Sequence, residues 1–308
     1  MKIAIVGSGG RLGAALVREF GLKYDLTGFN RSQLDLSNAD DLRAKLHPID
    51  FEVLINAAAF TNVDLCESHP EKAFAINAEA PGLLAKICCE KKAQLIHFST
   101  DYVFDGNKRE PYTEEDEARP ISVYGESKLE GEKKVLALED NHLIVRVSWV
   151  FGPDRPSFVD AVIKRARQEE HVDAIADKFA TPTYTLDVAE MLPKFFPWNR
   201  LPADILEPIG KMPIPQMPMP RILHFANGGE CSWQEYAQWA LDCCREAGVP
   251  LKATKVAPLH LRDMKNFVAK RPVYSVLGTE KYRAGTGLAP RPWREAVADY
   301  IKRSYSKI

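Results

Sequence analysis

No apolar run in this sequence reaches the roughly eighteen residues that a membrane-spanning helix needs. The opening MKIAIVG holds one lysine and a short apolar run that ends in glycine; it lacks the length and cleavage site of a secretory signal. None of the six cysteines forms Cys-x-x-Cys, and no His/Cys cluster has zinc spacing. Cys88–Cys89 and Cys243–Cys244 fall in helical patterns and read as small apolar core residues. A reducing, cytoplasmic setting is expected. The formal net charge is −1, with both signs spread along the chain. There is no basic stripe for nucleic acid and no acidic tail. Internal repeats are absent. These absences exclude membrane and nucleic-acid partners and turn attention to a small-molecule site.

The 308 residues are 45% hydrophobic, enough for a large core and one or two domains. KIAIV (Lys2–Val6) reads as a strand that breaks at GSGGRLG and resumes as a helix. Gly7, Gly10 and Gly13 form G-x-x-G-x-x-G, with Arg11 and Leu12 in the turn. Glycines there permit a tight turn and bring backbone N–H groups close to a pyrophosphate at a helix N-terminus. The second strand ends at Asn30–Arg31, where dinucleotide folds often carry an acid for the ribose. Arg31 suits a 2′-phosphate, which favours NADPH with NADH still open; the bland alternative is a solvated loop cation. Asp35 and Leu36 follow, where an acid can reach an adenine amino group. Asn38–Leu46 reads as a helix capped by Ser37. FEVLINAAA is a buried strand whose Ala57, Ala58 and Ala59 leave room for a flat cofactor or simply pack tightly. Phe60–Glu67 reads as a polar loop and Pro70–Lys92 as one long helix.

The stretch His97–Lys128 organises the rest. A buried strand ends at Ser99–Thr100, the strand end where open α/β sheets bind ligands. Tyr124 and Lys128 lie four apart, on one face of a helix. A phenol titrates near ~10, and a neighbouring ammonium is expected to lower it into a proton donor's range. The acids at 114–117 read as a solvated face, and His142–Gly152 as one strand. Alternating strands and helices over residues 1–152 predict a Rossmann-type doubly wound parallel sheet that binds NAD(P). Residues 153–308 are expected to form a smaller α/β substrate region, with some segments returning to the first domain. Residues 193–220 hold eight prolines and read as an irregular excursion.

G-x-x-G-x-x-G, NAAAFTNVD, STDYVFDG, YGESKLEGE, RVSWVFG, TPTYTLDVA and RPVYSVL occur in that order. The chain thereby resembles the extended short-chain dehydrogenase/reductases, and within them the dTDP-4-dehydrorhamnose reductase family. The resemblance implies NADPH-dependent reduction of the C4 ketone of dTDP-4-dehydro-β-L-rhamnose. It implies that Tyr124 donates the proton, that Lys128 tunes Tyr124 and holds the nicotinamide ribose, and that Thr100 bonds the reacting oxygen. Ser99 matches a cofactor position. Val63, Asp64, Asp101, Tyr102 and Trp149 match positions near the sugar, and Arg271 suits a nucleotide diphosphate. This chain has Ser157–Phe158 where the family often has Asn-Phe, and Asp177–Lys178 where it often has Asp-Gln. Some members carry a metal-linked dimer acid where this chain has Ala15, so no metal is expected. A homodimer is left open. The competing readings are a reductase of another nucleotide-linked keto sugar, and a regulatory subunit resembling the β subunit of methionine adenosyltransferase.

Overall fold

In a computed structural model that describes residues 1–138, 141–197 and 221–306, the first half alternates strand and helix as its patterning predicts. β1 (Lys2–Val6), α1 (Arg11–Phe20), β2 (Asp25–Phe29), α2 (Ala39–Leu46) and β3 (Val53–Asn56) come first. α3 (Val63–Ser68), α4 (Pro70–Phe74), α5 (Ala80–Lys91), β4 (Gln94–Thr100), α6 (Val123–Leu136) and β5 (Leu143–Val147) follow. The second half adds short strands: β6 (Val150–Phe151), β7 (Val172–Ile175), β8 (Phe179–Ala180), β9 (Thr183–Tyr184), β10 (Ile222–His224), β11 (Cys231–Ser232) and β12 (Val256–Leu259). Its helices are α7 (Phe158–Gln168), α8 (Thr185–Met191), α9 (Trp233–Glu246), α10 (Glu280–Thr286) and α11 (Trp293–Tyr305). Of the proline-rich excursion, residues 198–220 lie outside the described residues. No helix among the described residues is long and apolar enough to cross a membrane.

Six parallel strands form the central sheet in the order β2-β1-β3-β4-β5-β10. Strand order reverses between β1 and β3, so their following loops diverge and leave a crevice at the carboxyl ends. All seven residues of β4 are buried, as expected of a strand covered on both faces. Burying each Leu or Ile there stabilises the fold by about 1.5–3 kcal/mol. The second half returns to this sheet, notably through β10 and α8. β10 pairs with β5, placing Leu223 beside Val145. α8 sets Val188, Ala189 and Met191 against Leu12, Leu16 and Phe20 of α1. A second core of Phe151, Tyr184, Tyr236, Trp293 and Tyr300 lies among α7, α9 and α11.

Several local expectations are corrected. Asn38, not Ser37, caps α2, accepting from the N–H groups of Asp40 and Asp41. Ser37 instead donates its hydroxyl to Asp35 at 2.7 Å. The loop after Phe60 coils into α3 because the Asn62 carboxamide caps it, accepting from Leu65 N–H at 2.9 Å. The long helix over 70–92 is interrupted by a π turn at Ala75–Glu79. The strand expected over 142–152 breaks at Trp149, whose φ is +40°. Glu114 turns inward and accepts from His224 N–H at 2.8 Å, so the acidic run is not wholly a solvated face.

One buried ion pair ties α6 to the sheet. Arg146 on β5 donates to both carboxylate oxygens of Glu132, at 2.9 and 2.6 Å, with side chains 3% and 1% exposed. Its guanidinium also lies 5.1 Å from the Phe104 ring centroid. Removing one partner leaves an uncompensated charge inside, which costs about 3–5 kcal/mol. Arg146→Met is therefore expected to lower unfolding stability by that amount in urea titrations. Adding Glu132→Leu is expected to recover much of it. A single-variant loss below about 1 kcal/mol contradicts this.

Candidate active site

A cleft of about 1100 Å³ runs along the carboxyl ends of β1, β3 and β4. Gly7, Gly10, Arg11 and Leu12 line one wall, and Asn30, Arg31, Asp35 and Leu36 line one end. Ala57, Ala58 and Ala59 form part of the floor. At the other end lie Ser99, Thr100, Asp101, Tyr102, Tyr124, Lys128, Val63 and Trp149. Gly13, Asp64 and Arg271 do not line it.

The glycine turn is built for close approach. A Cβ on Gly7 (φ +87°) would lie 2.7 Å from Ala58 N, and one on Gly13 would lie 2.1 Å from Gly7 O. Gly13 thus lets α1 abut the turn rather than facing a ligand. Gly10, at the N-cap of α1, makes no side-chain cap, and the first turn carries no acid. Such an N-terminus attracts phosphate. Arg31 has no carboxylate within ion-pair distance among the described residues. Arg155 also lines the cleft and donates through Nε to Gly9 O at 3.0 Å. No sequence motif pointed to Arg155, which reaches the turn from a loop nearly 150 residues on. Asp35 holds its carboxyl below the usual range because Ser37 donates its hydroxyl and N–H to it.

The reactive end depends on how α6 meets β4. A Cβ on Gly125 would lie 2.2 Å from Tyr102 O, so the helix rests directly on the chain leaving β4. Ser122 caps α6, accepting from Gly125 N–H at 3.2 Å. Tyr124 and Lys128 then face the cleft one turn apart. Lys128 Nζ donates to Phe98 O at 2.7 Å and meets His97 Nε2 at 3.2 Å. The Thr100 hydroxyl, beside Tyr124, donates to Asp101 Oδ1 at 3.1 Å. Tyr102 packs edge-on against Tyr124, with centroids 5.6 Å apart. The expected lowering of the phenol is corrected: burial outweighs the lowering influence of Thr100 and raises Tyr124 above the ordinary value. A raised phenol stays protonated at neutral pH, which is the state a proton donor needs. Asn77, in the π turn, brackets the loop before α3: its Oδ1 accepts from Phe60 N–H at 2.8 Å, and its Nδ2 donates to Phe60 O and to Ser127 Oγ, both at 3.1 Å.

The family model described as RmlD substrate binding domain matches residues 1–306. A dTDP-4-dehydrorhamnose reductase of Mycolicibacterium smegmatis is 35% identical, over 97% of this chain and 85% of its own. This chain belongs to the dTDP-4-dehydrorhamnose reductase family. Membership places it among oxidoreductases of the extended short-chain type. The spore coat polysaccharide biosynthesis protein SpsK of Bacillus subtilis is 31% identical over 99% of this chain and 98% of its own. The solved dTDP-4-dehydrorhamnose reductase of Bacillus anthracis, in complex with NADP, superposes with a TM-score of 0.85 at 28% identity, covering 98% of this chain and 99% of that one.

Lys178 is fully buried and donates to Pro272 O at 2.8 Å. Its ammonium lies 5.1 Å from the Tyr102 ring and 5.8 Å from the Trp149 ring. Burial pulls it down to about 8, against the pull of Asp101. Trp149 holds a left-handed backbone, and its indole N–H is buried without a protein partner. Arg271 is committed to Asp64, at 3.1 and 2.7 Å, and Asp64 also accepts from the N–H groups of Val268 and Ala269 at 2.9 Å. The pair clamps the Val268–Arg271 segment to α3 beside the cleft. At the turn, Gly13→Ala is expected to cost about 1–3 kcal/mol by overpacking. A thermal unfolding midpoint equal to the parent's would contradict the close contact with Gly7 O.

Proposed function

We propose that this protein reduces the C4 ketone of dTDP-4-dehydro-β-L-rhamnose to dTDP-L-rhamnose with NADPH, with Tyr124 as proton donor. The observation that carries this reading is one cleft with a phosphate-attracting glycine turn at one end and Thr100, Tyr124 and Lys128 at the other. The residues present suit a dinucleotide. Gly10 leaves the N-terminus of α1 without a side-chain cap, Arg31 and Arg155 offer guanidiniums, and Ser99 Oγ is buried without a protein partner. When bound, NADPH supplies the hydride.

The chain's own residues handle the oxygen. A ketone that accepts hydride develops alkoxide charge, and a positioned acid neutralises it. Tyr124 gives its phenolic proton to that oxygen. Thr100 donates to the same oxygen or to the phenolate left behind. Lys128 adds positive potential one helical turn away. Residues 1–152, completed by β10 and α8, hold the cofactor. Residues from the second half, with Tyr102 and Trp149, shape the sugar side, and burial of the reacting oxygen strengthens every one of these contacts.

A second reading, another nucleotide-linked 4-keto sugar, draws on two observations. The buried Lys178 sets a cation against the rings of Tyr102 and Trp149. In addition, a probable dTDP-4,6-dihydroxy-2-methyloxan-3-one 4-ketoreductase of Streptomyces antibioticus is 33% identical over 97% of this chain. NADPH oxidation with dTDP-4-dehydro-β-L-rhamnose separates the two. Turnover is expected with the parent protein. Tyr124→Phe is expected to lose at least ~10²-fold in kcat, within the usual range for an acid–base group, while NADPH affinity changes only a few-fold. Absence of turnover with NADPH binding intact removes the rhamnose assignment.

A further inference from the structure

Lys128 is 1% exposed and His97 fully buried, and they belong to one hydrogen-bonded chain whose proton positions can be counted. Asn56 Oδ1 accepts from Ala58 N–H at 3.1 Å, which fixes the orientation of the carboxamide. Its Nδ2 therefore donates to His97 Nδ1, at 3.0 Å. Nδ1 is an acceptor, so a neutral imidazole carries its proton on Nε2. That Nε2–H points at Lys128 Nζ, 3.2 Å away. An ammonium there would face the imidazole donor to donor. The other tautomer would set Nδ1–H against the Asn56 amide, and turning Asn56 over would set its NH₂ against Ala58 N–H. The arrangement is satisfied when Nζ presents its lone pair to His97 while donating to Phe98 O.

We infer that the Asn56–His97 pair selects the neutral amine of Lys128 in the free protein, and that seating the dinucleotide loads one proton onto Lys128. This rests on the dinucleotide reading of the cleft. In the step, the Nζ lone pair takes a proton from solvent and forms a new N–H. His97 cannot accept that N–H, so the ammonium is retained only with an acceptor on the ligand side. His97 is thus a positioning residue that acts through Lys128.

The surroundings agree. Burial pulls Lys128 down to about 8 and His97 well below its ordinary value. From its own helix, Glu132 acts on Lys128, but that carboxylate is held by Arg146 of β5. Asp101 after β4 and Cys66 of α3 act on Tyr124 rather than on Lys128. No carboxylate lies within ion-pair distance of Nζ among the described residues.

The sign follows from linkage. Binding that takes up a proton is tightest below the lysine's free-state value and weakens about tenfold per pH unit above it. The test is calorimetric titration of the full-length protein with NADPH in two buffers of different ionisation heat, at about pH 9. At that pH a 2′-phosphate, with a second pKa near ~6, is already fully ionised and contributes no proton. The parent is expected to take up close to one proton. His97→Gln, which can turn a carbonyl oxygen toward Nζ, is expected to take up almost none and, escaping the parent's loss above the lysine's free-state value, to bind about tenfold tighter than the parent at that pH. A merely structural role for His97 would instead weaken binding at every pH and leave the uptake unchanged. In cofactor-free protein, ¹⁵N NMR of His97 is expected to show the Nε2–H tautomer, and this readout stands even where the variant fails to fold. Equal uptake in parent and variant, no uptake in the parent, or an Nδ1–H tautomer would each overturn the inference. Failure to bind NADPH at any pH would overturn the dinucleotide reading instead, and the NMR tautomer would then decide the His97–Lys128 part by itself.

Discussion

The direct seating of α6 on the chain leaving β4 is the constraint from which the site follows. Gly125 lies so close to Tyr102 O that no side chain fits between them. Gly131 meets the π turn in the same way, where a Cβ would lie 2.1 Å from Asn77 O. At that separation, side chains on the facing turn of α6 reach the carboxyl end of β4 without an intervening layer. Tyr124 then stands beside Thr100, and Lys128 reaches Phe98 O on the central strand β4. A helix held at ordinary interaxial distances of about 8–10 Å by larger side chains would leave these groups out of reach.

Three buried cations stand around this contact, and the protein treats each differently. Arg146 has a bidentate carboxylate, so its charge is compensated where it sits. Lys178 has one carbonyl, two aromatic faces and an acid nearby but not in contact. Lys128 has a carbonyl and an imidazole, with no carboxylate at hand. Moving an unpaired charge inside costs several kcal/mol even after relaxation, which is why burial pulls the two lysines toward neutrality. The reactive end of the cleft is therefore poised: its donors are protonated or readily protonated, and its potential changes with the ligand that enters.

Much of this was legible in the chain. The glycine turn, the buried strand ending at Ser99–Thr100 and the Tyr124/Lys128 pair are local patterns, and local patterns survive in sequence. Most residues singled out from them line one cleft. What was not legible depends on contacts between distant segments. Arg155 reaches Gly9, and Asp64 takes Arg271, across separations with no periodic signature. The phenol's shift went the other way because burial, a property of the whole fold, outweighed the lowering influence of Thr100. The pairing of β10 with β5 joins segments far apart in the chain and has no signature in ILHFAN alone. His97 looked like one more residue of a buried strand until its two ring nitrogens had partners.

The most direct test of the account is the fate of a labelled hydride. NADPH carrying deuterium at the transferable nicotinamide position would be turned over with dTDP-4-dehydro-β-L-rhamnose in ordinary water, and the sugar product read by NMR. The account predicts deuterium bound to C4 of a dTDP-L-rhamnose product, with the C4 oxygen protonated. Oxidised cofactor without label at C4, or no product at all from protein that binds both ligands, would contradict it.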